Sequence, residues 1–257
     1  MKAILLLSLL LALGLAAGCT TGPIGAAPHE TRPHYVVGVD ADFSPFTSLG
    51  DDGNFSGFDI DAARAVAERE GINVTFVAVP WDAAIDRLED GQVDIVWSGT
   101  TVSPERSAKV NFSRPYYFVE QSIAVRAGSG FTVQDLLSGR LRIGAQAGST
   151  EAEWVSTNLI APGILPAGNL TLCPDVGTLT AALVNGSVDA TLVQAPAQAD
   201  AIEGRPLVII GTTGTQDAYA VAVRKTDPAL LATVDHGLAR LMEDPAWQEM
   251  KARYGLV

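Results

Sequence analysis

The chain has 257 residues, 47% of them hydrophobic, with a formal net charge of −12 at neutral pH. That charge makes polyanions such as nucleic acids poor partners. Its two cysteines, Cys19 and Cys173, leave no material for an intrachain disulfide framework or a cysteine-rich metal site.

In chain order, Met1-Lys2 gives a short positive start. Ala3 to Ala17 is an apolar run shorter than the roughly 20 residues that span a bilayer, which predicts a secretory signal over residues 1–18. Leu15-Ala16-Ala17-Gly18-Cys19 resembles the lipobox of secreted lipoproteins, with Ala16 standing where leucine is usual. The resemblance implies acylation of Cys19 and attachment to the cell membrane, at the cell surface or in the periplasm. Ordinary signal cleavage with Cys19 as a bystander is the alternative. Residues 19–33, rich in Gly, Pro, Ala and Thr without an apolar period, read as a flexible tether.

From His34 onward strands and helices alternate. Tyr35 to Val39 reads as a buried strand, Asp51-Asp52-Gly53-Asn54 as a tight turn, and Ile60 to Glu70 as an amphipathic helix burying Ile60, Ala63, Val66 and Ala67. Asp59 and Asp61 read as capping acids for that helix. A strand (Asn73 to Val79), a helix (Trp81 to Glu89) and a strand (Val93 to Trp97) follow. This βαβαβ order predicts a parallel sheet covered by helices.

The second half repeats the pattern: strand Leu141 to Gly144, helix Thr150 to Leu159, strand Leu170 to Pro174, helix Leu179 to Leu183, strand Val188 to Val193. Arg87 through Asp94 aligns with Ala182 through Asp189 at a constant offset, each a helix end, a glycine stop and a strand start. Two copies of one α/β lobe explain this, although such endings recur wherever helices meet strands. Tyr219 to Arg224 then reads as a strand and Pro228 to Arg253 as helical, with Pro245 opening the last segment. If these pieces return to the first lobe, the chain crosses between lobes near Glu120 to Val125 and near Gly211 to Tyr219.

Five of the six asparagines (Asn54, Asn73, Asn111, Asn169 and Asn185) begin an Asn-x-Ser/Thr triplet, although Ser and Thr make up only 33 of the 257 residues. Chance would give about one, so N-glycosylation of an exported surface is one reading. The three histidines are scattered, and neither a metal site nor an acid–base histidine emerges.

Ligands of open α/β sheets bind beyond the carboxyl ends of the strands. The segments there are Asp40 to Phe46, Pro80-Trp81-Asp82, Ser98 to Arg106, Gln146 to Glu151 and Gln194-Ala195-Pro196. Together with Gly57-Phe58-Asp59-Ile60-Asp61, Gly91-Gln92-Val93-Asp94 and Asn111 to Tyr117, they resemble the extracellular solute-binding proteins of family 3, the polar amino-acid-binding subunits of ABC importers. The resemblance covers nearly all of residues 35 to 255. It implies two Rossmann-like α/β lobes joined by a two-stranded hinge, the periplasmic binding protein type II architecture. Residues 34–121 and 219–257 would form the first lobe and residues 122–218 the second.

The same resemblance implies residue roles. Arg106 matches the arginine that holds the ligand's α-carboxylate, for which its planar fork is suited. Ser98, Gly99 and Thr101 match the neighbouring loop that binds the α-amino group and carboxylate. Ser149 and Thr150 match donors of N–H groups to the carboxylate at a helix N-terminus. Phe43 and Trp81 match an aromatic sandwich around the ligand side chain, and Asp40 an acid at its polar end. One departure stands out. The family usually has an aspartate that pairs with the α-ammonium where this chain has Gln194, so either Glu151, Asp217 or Asp40 supplies the charge or the ligand is not an ordinary α-amino acid.

The resemblance therefore implies a non-enzymatic, cofactor-free monomer that passes a small amino-acid-like ligand to an ABC permease in the membrane. Two alternatives remain on the same scaffold: an enzyme resembling cyclohexadienyl dehydratase, and a ligand-sensing module that acts by docking.

Overall fold

The structure, a computed structural model, describes residues 32–256. The predicted signal segment, the lipidation site Cys19 and the tether as far as residue 31 lie outside the described residues.

Two five-stranded sheets organise these residues. The first has the order Asn73–Ala78, His34–Val39, Ile95–Val96, Ala222–Arg224, Val110–Phe112. Its first three strands are parallel; Ala222–Arg224 runs against them, and Val110–Phe112, antiparallel to that strand, returns to their direction. The second sheet has the order Leu170–Cys173, Ile143–Gln146, Ala190–Gln194, Gln121–Arg126, Leu207–Thr212, and again one strand, Gln121–Arg126, runs against three parallel ones while the edge strand returns to their direction. The expected parallel sheets are thus mixed. The added strand beside each parallel core, Ala222–Arg224 or Gln121–Arg126, follows a crossing of the chain, so it enters from the opposite end.

The shared order extends to side chains. Arg224 donates to the Val93 carbonyl and pairs with Asp94 at 2.9 Å, while Asp94 accepts the Val36 N–H at 2.8 Å. In the other sheet Arg126 donates to the Val188 carbonyl at 2.7 Å and pairs with Asp189 at 3.3 Å, while Asp189 accepts the Arg142 N–H at 3.0 Å. Asp94 and Asp189 are the aspartates aligned in the sequence repeat, so both halves tie the central strand to its neighbours with one device.

Between the sheets, Tyr117–Val119 pairs antiparallel with Asp217–Tyr219. The single strand expected over Tyr219 to Arg224 is broken accordingly. Ala220 N–H goes to the Thr100 carbonyl and Val221 N–H to Ser113 Oγ, which turns the chain out of the connection and into the first sheet. The helix expected from Thr150 to Leu159 is α-helical only over Thr150–Val155, and Ser156–Ile160 winds more widely. The short helix expected at Leu179 to Leu183 runs over Val176–Asn185, capped by Asp175, whose Oδ1 accepts the Thr178 N–H at 2.6 Å.

Helix Phe58–Glu70 packs on helix Pro228–Glu243, and its apolar face enters a core containing Val37, Phe46, Trp97 and Leu238. The capping role read for Asp59 and Asp61 does not hold. No side chain caps this helix; Asp59 is fully buried, and Asp61 faces Tyr254 and Arg253. A separate core around Ile123, Leu136, Ile143 and Leu192 fills the second sheet's helical layer. Cys173 is a buried free thiol. Among the sequon asparagines, Asn54, Asn73 and Asn185 are exposed and Asn111 and Asn169 half-buried.

Candidate functional site

The loops after the parallel strands meet across a cleft. They enclose a small cavity lined from the first side by Asp40, Phe43, Trp81, Ser98, Gly99, Thr101 and Arg106. The other side contributes Gln146, Ser149, Thr150, Glu151 and Gln194. All ten ligand-site residues read from the sequence are therefore brought to one place. A wider outer cleft adjoins it, with Trp81, Arg106, Ser149 and Thr150 on the boundary.

The first strand ends in Val39, and Asp40 N–H then donates to Ser98 Oγ at 3.0 Å, while Ser98 and Thr47 hydroxyls meet at 2.7 Å. The next residue, Gly99, sits at φ +54°, and a Cβ there would overlap the Phe43 ring. Only glycine combines that backbone with that contact. Its N–H donates at 2.6 Å to Asp59 Oδ2, which also accepts the Tyr116 hydroxyl at 2.7 Å. Burial raises the Asp59 carboxyl to about 7, against the pull of those two donors. Asp59 thus braces the binding loop from beneath. Read from the sequence, Asp59 is assigned to helix capping, because sequence alone does not show which way the side chain points.

Arg106 lies on helix Pro104–Lys109, which is started by Ser103 accepting the Arg106 N–H at 3.2 Å. One terminal nitrogen of its guanidinium donates to the Thr101 carbonyl at 3.0 Å and the other to the Gly148 carbonyl at 2.9 Å, across the cleft. The guanidinium carbon lies 5.2 Å from the Trp81 ring centroid, within cation–π range. Burial lowers its pKa, while Glu151, Glu153 and other acids counteract the shift. These two bonds use two of the five donors of the group.

On the far side Ser149 caps helix Thr150–Val155 by accepting the Ala152 N–H at 3.1 Å. Gln194 ends its strand and points its amide at Thr101 Oγ1 and Thr150 Oγ1, both at 3.4 Å, so it touches both sides. Asp40 accepts the Gln146 amide at 2.6 Å and the Asp42 N–H at 3.0 Å. Burial is the main cause of its raised pKa. Phe43 is buried against Phe46, with ring centroids 5.6 Å apart, whereas Trp81 is half-buried. Gln146 was not singled out as a site residue, although its segment was. Among the described residues no group of three His, Cys, Asp or Glu side chains could hold a metal.

A family model for bacterial extracellular solute-binding proteins, family 3, matches residues 35–257. The probable histidine-binding protein of Neisseria gonorrhoeae is 29% identical over 251 residues, covering 95% of this chain and 91% of that protein. An ancestral arginine-binding protein solved with arginine superposes with a TM-score of 0.79 at 28% identity, covering 87% of this chain and 98% of its own. An ancestral amino acid-binding protein described as a precursor of cyclohexadienyl dehydratase gives 0.77 at 30% identity, covering 86% and 94%. With its two α/β lobes and a family match across nearly all described residues, this chain belongs to the bacterial extracellular solute-binding proteins, family 3.

Proposed function

We propose that the chain captures a polar amino acid or related small carboxylate between its lobes and presents it to an importer in the membrane. The observation that carries this reading is the convergence of Arg106 and the Ser98–Thr101 loop with Ser149 and Thr150 on one small cavity. A carboxylate there would meet the free donors of Arg106 in a charge-assisted fork. The relatives' ligands, histidine and arginine among them, are of this class.

Capture works by closing the connection formed by Tyr117–Val119 and Asp217–Tyr219. Arg106 to Gly148, Gln146 to Asp40 and Gly177 N–H to Asp42 at 2.8 Å all cross the cleft, so only a closed arrangement offers the ligand both sides. A thermal-shift panel of the common amino acids and small organic acids tests this reading, because a ligand that binds only the folded chain raises its melting temperature. At least one amino acid should raise it, and Arg106→Ala should abolish the rise. A mutant that still responds fully would remove the clamp from the mechanism.

The similarity to a dehydratase precursor keeps an enzymatic reading in view. Expelling water from a substrate needs a positioned acid, and Gln194 at the strand end is a neutral amide. Incubation with prephenate or arogenate decides between the two: aromatic product would favour the enzyme.

A further inference from the structure

We infer that Glu151 is the counter-charge for the ligand's α-ammonium group, replacing the acid absent at Gln194. The inference rests on the amino-acid reading above and assigns the half of the zwitterion that Arg106 does not hold.

Glu151 is the second residue of helix Thr150–Val155, is 1% exposed, and lines the same cavity as Arg106. Its Oε1 has no hydrogen-bond partner. A buried carboxylate oxygen left unpaired is costly, and an ammonium supplies both the missing donor and the opposite charge. The rival acids are otherwise engaged. Both oxygens of Asp40 accept hydrogen bonds, from Gln146 and from the Asp42 N–H. Asp217 is half-buried, accepts the Gln121 amide at 3.0 Å, and faces a different cleft beside Thr215 and Asn158. Asp42 accepts the Gly177 N–H. Asp59 is also fully buried with an unpaired oxygen, but it braces the loop from beneath and does not line the cavity. Of the two carboxylates that do line it, Asp40 and Glu151, only Glu151 keeps a free acceptor.

Its surroundings make this contact proton-linked. Burial raises the Glu151 carboxyl to about 7; Asp217 adds to the rise, while Ser149 and Arg106 oppose it. Tyr219, also fully buried, is the remaining titratable group that senses it. An ammonium favours the ionised form, so binding expels a proton near neutrality. The affinity for an amino acid should therefore be about tenfold weaker at pH 6 than at pH 8, the change in ionised fraction around a midpoint of 7.

The test begins by screening the wild-type protein against the twenty common L-amino acids and L-cystine. The tightest binder is then titrated calorimetrically, beside the same acid carrying hydrogen in place of its amino group, into wild type and Glu151→Gln. The amino acid should lose roughly 100-fold in affinity on Glu151→Gln, as expected when one partner of a buried charge pair is removed. The deaminated acid should change less than about threefold, because it never used the carboxylate. The pH dependence should disappear in the variant. Adding Gln194→Asp to Glu151→Gln should recover much of the amino-acid affinity, which also separates a lost contact from a damaged fold. Equal amino-acid affinity in wild type and Glu151→Gln overturns this inference while leaving the amino-acid reading intact. A wild type that responds to no amino acid overturns both.

Discussion

Asp59 shows how much a single side chain contributes here without reaching the cavity. Its one oxygen Oδ2 receives the Gly99 N–H and the Tyr116 hydroxyl, and the carboxyl is fully buried beneath the loop that lines the site. Removing it strands two buried donors, each costing about 1–3 kcal/mol. Asp59→Ala should thus lower stability by about 2–4 kcal/mol in denaturant unfolding. Asp59→Asn, whose amide oxygen can accept both bonds, should lose much less. If the alanine variant is as stable as the wild type, the brace does not exist. Phe43 shows the reverse: chosen as a ligand wall, it also serves the core through its stack on Phe46.

Among the elements, the loop leading from strand Ile143–Gln146 into helix Thr150–Val155 controls how closely the two sides approach. Gly148 adopts φ +73°, and a Cβ on it would lie 2.5 Å from the Asp82 Cα on the opposite lobe. Backbone cannot yield as a side chain tip does. Gly148→Ala should therefore oppose closure and weaken amino-acid binding about tenfold or more, the effect of only ~1.4 kcal/mol of strain in the closed state. Titration of the variant checks it. Unchanged affinity would mean that the bound state does not bring Gly148 against Asp82. The Val176–Asn185 helix contributes from the same side, its Gly177 N–H held by Asp42.

For the whole molecule, two buried acids set the pH response of stability. Asp59 and Glu151 titrate near 7 in the folded chain, well above their ordinary values of 3.8 and 4.5. Between those limits the folded state binds more protons than the unfolded one, so stability falls as pH rises from about 4 to 7. Asp189 works in the opposite sense. Held at about 2, chiefly by Arg142, it stabilises the fold above pH 3.8 and loses that contribution as pH falls toward 2. The melting temperature should peak near pH 4–5 and decline toward pH 7.5, and Asp59→Asn with Glu151→Gln should flatten the decline. A wild-type melting temperature that climbs from pH 5 to 7.5 would contradict this balance. The overall negative charge declines on acidification and acts in the same direction.

Local pattern determined what depends on neighbours along the chain. The alternation of strands and helices, the repeat linking Asp94 to Asp189, and the loops that follow strand ends were all legible, because apolar period and glycine stops are short-range signals. Tertiary structure alone decided where distant segments meet. It split Tyr219 to Arg224 between two pairings and made both sheets mixed. It also turned Asp59 inward from a supposed cap and left Glu151, rather than Asp40 or Asp217, with an unpaired oxygen in the cavity. Each of these outcomes depends on which partners lie across a gap, and a carboxylate's solvation and hydrogen bonds are fixed only once the fold has brought those partners together.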